Sequence, residues 1–448
     1  MTGTGPRLVE GPIGPTLRRM TVPMVLGIAA VVTFTLVDTF FIGLLGTAPL
    51  AAVGFTFPVT LGLTHLAMGL AVGTSAIVGR TLGAEEADRA RRQVADSVLL
   101  ALVAMTALAA LAAAVMDPLF ALLGAESDLR PLIRAYMGPW LAGVPLLVVT
   151  MVGNSALRAS GDTLTPSLIM ALGGLINGGL DPLLIFGWGP VPGFGLQGAA
   201  LASVASWVVV LAVNQYWLAV RRRLVAWYRP RLGELMASWR AHLRISLPAA
   251  GSNVMPPIAN GVLTALVARH GAAAVAGFGV GIRIEAFALV VALAFAGALA
   301  PFVSQNFGAG RMDRVTTAYR GGVGFLVAWE LAVYALLALP APWIAALFTD
   351  DPAVAAALVL FLWIRPAGYG FQAALIASSA TLNALHRPYH ALALGLLRLF
   401  IFYLPPAYAG GLIAGVPGIY AGATLGTLAL GAVAVTWLLR RILEPSPP

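Results

Sequence analysis

Twelve long apolar segments leave this chain little choice of fold. They run at about 17–45, 49–79, 93–116, 132–156, 165–188, 194–219, 243–268, 273–303, 317–340, 353–380, 389–412 and 417–439. A helix needs roughly 20 apolar residues to cross bilayer hydrocarbon, so several of these segments are expected to tilt or kink. Only 10% of the 448 residues are charged, where a soluble domain has about 25%. No stretch between apolar segments exceeds about 25 residues, so no soluble domain is expected. The predicted fold is an all-α integral membrane protein of twelve transmembrane helices. Pro and Gly precede a first apolar run far longer than a signal-peptide core, so no cleavable signal is expected.

The net charge of +9 comes entirely from arginine, with no lysine. In a soluble protein that balance would suggest nucleic acid. Here the arginines sit in short loops and set topology. With the N-terminus in the cytoplasm, 21 arginines lie inside and 3 outside, while Arg283, Arg365 and Arg398 fall within spans. Both termini are therefore expected in the cytoplasm, in the plasma (inner) membrane. The absence of cysteine excludes disulfides, thiolate metal sites and cysteine catalysis.

The sequence repeats itself at an offset of 225 residues. Pro23 falls on Pro248, Gly46 on Gly271, Gly54 on Gly279, Gly83 on Gly308, Asp88-Arg89 on Asp313-Arg314 and Gly143 on Gly368. After a two-residue shift, "GLQGAALAS" meets "GIYAGATLG". Each half then holds six spans, an even number, so the predicted arrangement is two six-helix lobes related by a pseudo-two-fold axis along the membrane normal. The expected lobes are 1–220 and 243–448, joined by an arginine-rich linker at 221–242. Repeats of this kind suit alternating access better than a channel.

The repeat also acts as a control, because a polar residue present in one half only is not required by the shared fold. Asp38 faces Leu263, Asp181 faces Pro406 and Asn177 faces Phe402. A carboxylate within a span costs about 2.5–3.5 kcal/mol on insertion scales, so such residues mark ion or proton pathways by default. Asp38 lies 19 residues after Arg19, about 28 Å along a helix. Asp181 lies 15 residues after Pro166, about 22 Å. Both fall in the outer half of the membrane. Asn177 is one turn before Asp181 on the same face, and Ser203 and Tyr136 fall at a similar depth. The bland alternative is a pair of buried acids satisfied by hydroxyls. The functional one is a cation-coupling group of Asp38, Asp181, Asn177, Ser203 and Tyr136. Oxygen ligands without thiol or imidazole suit a proton or a hard cation such as Na⁺, and Asp38, Asp181 and Asn177 would be the metal ligands in the second case. Pro23, on the helix that carries Asp38, is either a shared structural kink or a hinge.

The second half carries its own polar set: Arg283, Glu285, Glu330, Arg365 and Arg398. Internal ion pairing is one reading of it, and contact of Glu285 with substrate is the other. Met24 and other methionines are candidates either for gap filling or for a soft cavity. His65 reads as a hydrogen-bonded packing residue. No HExxH, metal cluster or Ser/His pair at matched depth points to an enzyme.

Together "LVDTFFIGLLGTAPLAAVGF", "ALRASGDTLTP", "INGGLDPLLIFG", "GAALASVAS" and "SQNFGAGRMDR" resemble the multidrug and toxic compound extrusion transporters, most closely their DinF-like branch. The resemblance covers all twelve spans. It implies cation coupling at Asp38 and Asp181, with Asn177 as the accompanying asparagine, Ser203 where the family often has threonine, and Tyr136 and Asn154 as polar fourth-helix positions. Another branch places acidic coupling residues on the seventh and tenth helices, where this chain has none. The implied function is secondary-active efflux of amphiphilic or cationic aromatic compounds by proton or Na⁺ antiport, in a monomer with no cofactor and no nucleic-acid partner. Candidate substrate contacts are Asn154, Met24, Glu285 and Arg283. The alternative is a lipid-linked saccharide flippase of the same superfamily.

Overall fold

The computed structural model describes residues 8–226, 228 and 231–443, so Arg7 and Arg229 lie outside the described residues. Apart from one isolated bridge between Trp188 and Val191, the regular elements among them are helices. The first half forms α1 (Ile13–Leu44), α2 (Thr47–Gly83), α3 (Ala87–Ala114), the short α4 (Met116–Leu122), α5 (Arg130–Ala159), α6 (Leu164–Phe186) and α7 (Leu196–Tyr216). A π turn, Trp217–Arg221, ends α7. α8 (Leu232–Ala268) follows the linker. The second half forms α9 (Ala272–Ala288), α10 (Val290–Gly308), α11 (Met312–Ala338), the short α12 (Ala341–Phe348), α13 (Pro352–Ile364), α14 (Tyr369–Ala384), α15 (Pro388–Leu397) and α16 (Leu404–Leu438).

Ten stretches are individually long and apolar enough to cross a membrane. One of them, Pro388–Leu443, reverses at Ala414 and Gly415, where Gly415 takes a φ of +63° that other residues rarely adopt, and so makes two passes. The two arms pack closely enough that a Cβ on Gly418, Gly422 or Gly426 would strike the backbone of Gly410, Pro406 or Phe402. That row is a small-residue helix interface. α8 is the twelfth span; Asn253 and Asn260 dilute its apolar half.

The repeat is visible in the element bounds. α2 maps onto the span from the first residue of α9 to the last of α10 at the 225 offset, and α3 and the short α4 map onto α11 and α12. The matched elements differ in continuity: α2, α5 and α6 are unbroken, whereas their second-half counterparts are interrupted.

The described chain clusters into two compact units, one of residues 8 and 22–250, the other of 9–21 and 251–443. The chain therefore crosses between them inside α1, beside Pro23, and inside α8, beside Pro248. In the first unit, α5 is central and packs against α2, α3 and α7, with α6 against α7. Its core includes Met105, Trp140, Val144 and Val148. α1 is the least buried of these helices. In the second unit, α14 packs against α10, α11 and α16, and α13 against α9.

The arginine-rich segment is tied to the first unit. Arg222 pairs with buried Asp162 at 2.5 Å. Asp162 also accepts from the Thr165 backbone N–H at 3.0 Å and its hydroxyl at 2.8 Å, which caps the start of α6. This explains the "ASGDT" motif, in which Gly161 supplies a φ of +89° for the turn. Tyr228 donates to Asp96, and Trp239 Nε1 donates to the Asp96 carbonyl at 3.0 Å. Ser97 Oγ and His242 Nε2 lie 2.6 Å apart, a serine–histidine pair that the sequence reading had excluded. It escaped because its members are 145 residues apart and lie at one end of their helices. His242 Nδ1 faces the Ser238 carbonyl at 3.0 Å rather than a carboxylate, so the pair is a clamp between α3 and α8 and not a nucleophilic triad.

Candidate functional site

α6 supplies two of the expected residues and fixes their relation. Asn177 and Asp181 are four residues apart, so they stack on one helix face. The Asn177 amide nitrogen donates to Asp181 Oδ1 at 3.4 Å and to Ser203 Oγ of α7 at 3.3 Å. Asp181 is fully buried, yet its Oδ2 has no partner. Asp38 of α1 is half-buried, and its Oδ1 is likewise buried without a partner. Tyr136 of α5 is buried and lies within electrostatic reach of both Asp38 and Asp181, as Asp38 does of Asp181. The structure thus brings together Asp38, Asp181, Asn177, Ser203 and Tyr136 from four helices.

The position of α1 depends on a seat that the sequence reading missed. A Cβ on Gly174 would lie 2.1 Å from Phe34 Cδ2, and one on Gly178 would lie 3.0 Å from Phe34 Cδ1. The Phe34 ring therefore fills the groove left by two glycines four apart on α6. This small-xxx-small spacing is the signal that could have found it. The seat lies one turn before Asp38 on α1 and beside Asn177 on α6, so it sets the separation of the two acids.

Other expected residues lie elsewhere. Asn154 is 18 residues beyond Tyr136 on α5, about 27 Å away along the helix. Its Oδ1 accepts from Asn214 of α7 at 2.9 Å, and both are buried. Pro23 lies inside α1, which runs through it as one helix, and Met24 is buried next to it. His65 Nδ1 donates to the Leu61 carbonyl at 2.8 Å, as expected for a packing residue. Arg283 is exposed and bonds only its own helix, at the Gly279 carbonyl, 3.2 Å. Glu285, two residues on, faces the opposite side. It accepts from Arg365 Nη2 at 3.4 Å, Tyr369 Oη at 3.2 Å and Gln372 Nε2 at 3.1 Å. The internal ion pair expected in the second half is present, and Arg283 is not part of it.

Two unpartnered carboxylate oxygens flanked by amide and hydroxyl oxygens form an oxygen-only donor set. It fits a proton or a hard monovalent cation. No group of three or more His, Cys, Asp or Glu side chains arranged for a metal occurs among the described residues.

Comparison with known proteins decides the family. The MatE family model matches residues 23–183 and again 248–409, two stretches whose starts are 225 residues apart. The chain belongs to the MatE family. It is 40% identical over 438 residues, 98% of this chain and 97% of the relative, to a protein of Shewanella oneidensis named FAD transporter. It is 26% identical over 330 residues, 72% of this chain and 69% of the relative, to a probable multidrug resistance protein NorM of Thermotoga maritima. Among solved structures, the Vibrio cholerae MATE transporter VcmN in the bent form matches with a TM-score of 0.90 at 31% identity, covering 96% of this chain and 97% of that one. A MATE structure in the straight conformation matches with a TM-score of 0.89 at 29% identity, over 98% and 97%. This MatE protein is a multi-pass membrane transporter with the twelve-helix fold and not an enzyme.

Proposed function

We propose that this transporter is a secondary-active exporter in the plasma (inner) membrane, with both termini cytoplasmic, that exchanges an inward-moving cation for an outward-moving aromatic cargo of the flavin dinucleotide type. The observation that carries the coupling is the pair of buried, unpartnered oxygens, Asp38 Oδ1 and Asp181 Oδ2, beside Asn177. An acid without partners in a desolvated place binds a proton or a cation, or incurs the desolvation penalty of its charge. The proton is the favoured ion and Na⁺ the alternative, since both use the same oxygens. The cargo class rests on the relative named FAD transporter, at 40% identity over 98% of this chain.

In this mechanism the cation arrives from outside and neutralises Asp38 and Asp181. α1 carries Asp38 on one side of Pro23, and proline lacks the N–H that would hold the preceding turn, so α1 bends there. The two lobes, 1–220 and 243–448 with the linker 221–242 between them, then alternate access to the two sides, and the cargo leaves outward. A second reading is multidrug export of amphiphilic or cationic aromatics. It is supported by relatives named multidrug resistance or multidrug export proteins at 24–26% identity.

The test is export from proteoliposomes loaded with FAD or with a fluorescent lipophilic cation, under a pH gradient or a Na⁺ gradient imposed separately. Wild type is expected to export FAD under one gradient, and Asp38→Asn and Asp181→Asn are expected to abolish the ion dependence. Export with undiminished ion dependence in both variants overturns the coupling site. Export of the cation but not of FAD returns the cargo to the multidrug class.

A further inference from the structure

The second unit holds a polar cluster that the first lacks, and it coincides with the places where the repeat is broken. Unbroken α2 corresponds to α9 and α10, which are interrupted at Leu289, one turn after Glu285. Unbroken α5 corresponds to α13 and α14, separated by a 3-10 turn that begins at Arg365. Unbroken α6 corresponds to α15 and α16, separated by a π segment that begins at Arg398. The residues matched to Glu285, Arg365 and Arg398 by the 225 offset are Thr60, Trp140 and Gly173. The shared fold therefore requires neither the charges nor the interruptions. Single π turns inside helices concentrate at functional sites.

The hydrogen bonds within this cluster do not close. Glu285 already accepts from Arg365, Tyr369 and Gln372. Arg365 is 3% exposed, and its Nε is buried without an acceptor. Arg398 is half-buried, makes no ion pair among the described residues, and its Nε is also buried without an acceptor. The two guanidinium groups lie over the same Tyr403 ring, 5.4 Å and 5.5 Å from its centroid. The Tyr420 hydroxyl is buried and unpartnered too. Glu285 thus pairs with Arg365 and not with Arg398, and three donors are left unused. A buried guanidinium without an acceptor is costly. Its planar fork matches a phosphoryl oxyanion.

We infer that Arg398, with Arg365 and Tyr420, forms a binding site for a phosphoryl oxyanion. The inference rests on the proposed cargo reading, in which that anion is the diphosphate of the dinucleotide. A lipid phosphate offers the same chemistry. The internal competitor is Glu330 of α11, fully buried with neither carboxylate oxygen partnered, which would serve Arg398 if the cluster rearranged.

The test measures binding of FAD and of riboflavin, which lacks phosphate, to the full-length protein in nanodiscs, with pyrophosphate as competitor. The variants are Arg398→Gln, Arg398→Lys and Glu330→Gln. Arg365 is left intact because its removal would strand Glu285. Wild type is expected to prefer FAD over riboflavin by about tenfold or more, worth about 1.4 kcal/mol, and pyrophosphate is expected to displace FAD. Arg398→Gln should collapse that preference while leaving riboflavin affinity in place, which also shows that the variant is folded. Arg398→Lys should restore part of the preference, and Glu330→Gln should leave it unchanged. A preference that survives Arg398→Gln overturns the site, as does an equal loss in Glu330→Gln, which would mark an internal ion pair. Arg398-dependent displacement by phosphatidylglycerol nanodiscs, relative to phosphatidylcholine and without effect of pyrophosphate, assigns the site to a lipid headgroup. If FAD is exported but Arg398→Gln leaves the preference intact, this inference fails and the export reading stands. If FAD is neither bound nor exported while pyrophosphate binds through Arg398, the site stands and the cargo reading fails.

Discussion

The Phe34 ring of α1 sits so close to Gly174 of α6 that a methyl group on the glycine would lie 2.1 Å from its Cδ2. Asp38 follows Phe34 by one turn, and Asn177 follows Gly174 by three residues, so this contact lies beside the two helix segments that carry the acids. Gly174→Ala should push α1 away from α6 at the level of the two acids. Overpacking of this kind costs about 1–3 kcal/mol. The expected outcome is a modest drop in thermal stability with a much larger weakening of ion-dependent export. Phe34→Leu in the Gly174→Ala background should recover part of both. Ion dependence that matches wild type in Gly174→Ala would show that the seat does not set the acid pair.

The Asn177 amide is the donor that links Asp181 to Ser203. A single hydrogen bond contributes about 0.5–1.5 kcal/mol, and more to a charged acceptor. Asn177→Ala is therefore expected to change the cation concentration for half-maximal export by roughly tenfold, at 1.4 kcal/mol per decade. Ser203→Ala removes only the acceptor at the far side of the amide and should have the smaller effect. Titrating export against each ion separately checks both. A larger effect from Ser203→Ala than from Asn177→Ala would assign the direct contact to the hydroxyl.

Much of this was legible before the fold was known, because it depends on local spacing. Twelve spans follow from runs of apolar residues, and the 225-residue repeat reappears in the bounds of α2 against α9–α10 and of α4 against α12. Asn177 and Asp181 were paired by their four-residue spacing. Helical rise from Arg19 gives the depth of Asp38, and the position of Tyr136 near the outer end of the fourth span gives a similar depth. What stayed hidden is either long-range or a matter of degree. Ser97 meets His242, and Asp96 meets Tyr228, over 145 and 132 residues, and no periodicity encodes such pairs. The interruption at Leu289 has no adjacent glycine or proline to announce it, whereas the π segment Arg398–Tyr403 runs into Pro405 and Pro406, which the sequence reading did not use. The bond between Asn154 and Asn214 is hidden in the same way, because a buried amide looks alike in sequence whether it meets a ligand or, as here, another side chain.

Pro23 lies beside the point at which α1 passes from one compact unit to the other, and its repeat mate Pro248 lies beside the second crossing, in α8. A proline inside a helix costs about 3 kcal/mol relative to alanine. Pro23→Ala should therefore raise thermal stability by up to that amount and at the same time lower the export rate, because the restored N–H resists bending. Pro248→Ala should give the stability gain with a smaller loss of export, since its helix carries no coupling acid. An export rate in Pro23→Ala equal to that of wild type would remove Pro23 from the hinge role.

His242 clamps the start of α8 to α3, and burial pushes its imidazole below the ordinary histidine range, against the upward pull of the Ser238 carbonyl and of Asp96. The folded protein thus favours the neutral ring, whose Nδ1–H donates to Ser238 while Nε2 faces Ser97. Above the ordinary value of about 6.5 the ring is neutral folded or unfolded, and it contributes no pH dependence. As pH falls below that value, the unfolded chain takes up a proton that the folded one does not, so stability declines with acidification until the folded ring titrates as well. The transporter should therefore lose thermal stability as the pH falls below about 6.5. His242→Gln should flatten that part of the profile while leaving the value at pH 8 only modestly lower. Because the clamp joins the linker segment to the first unit, hydrogen exchange at 232–243 should rise over the same pH interval in wild type. A profile in His242→Gln that still falls as steeply as wild type would locate the acid sensitivity elsewhere in the chain.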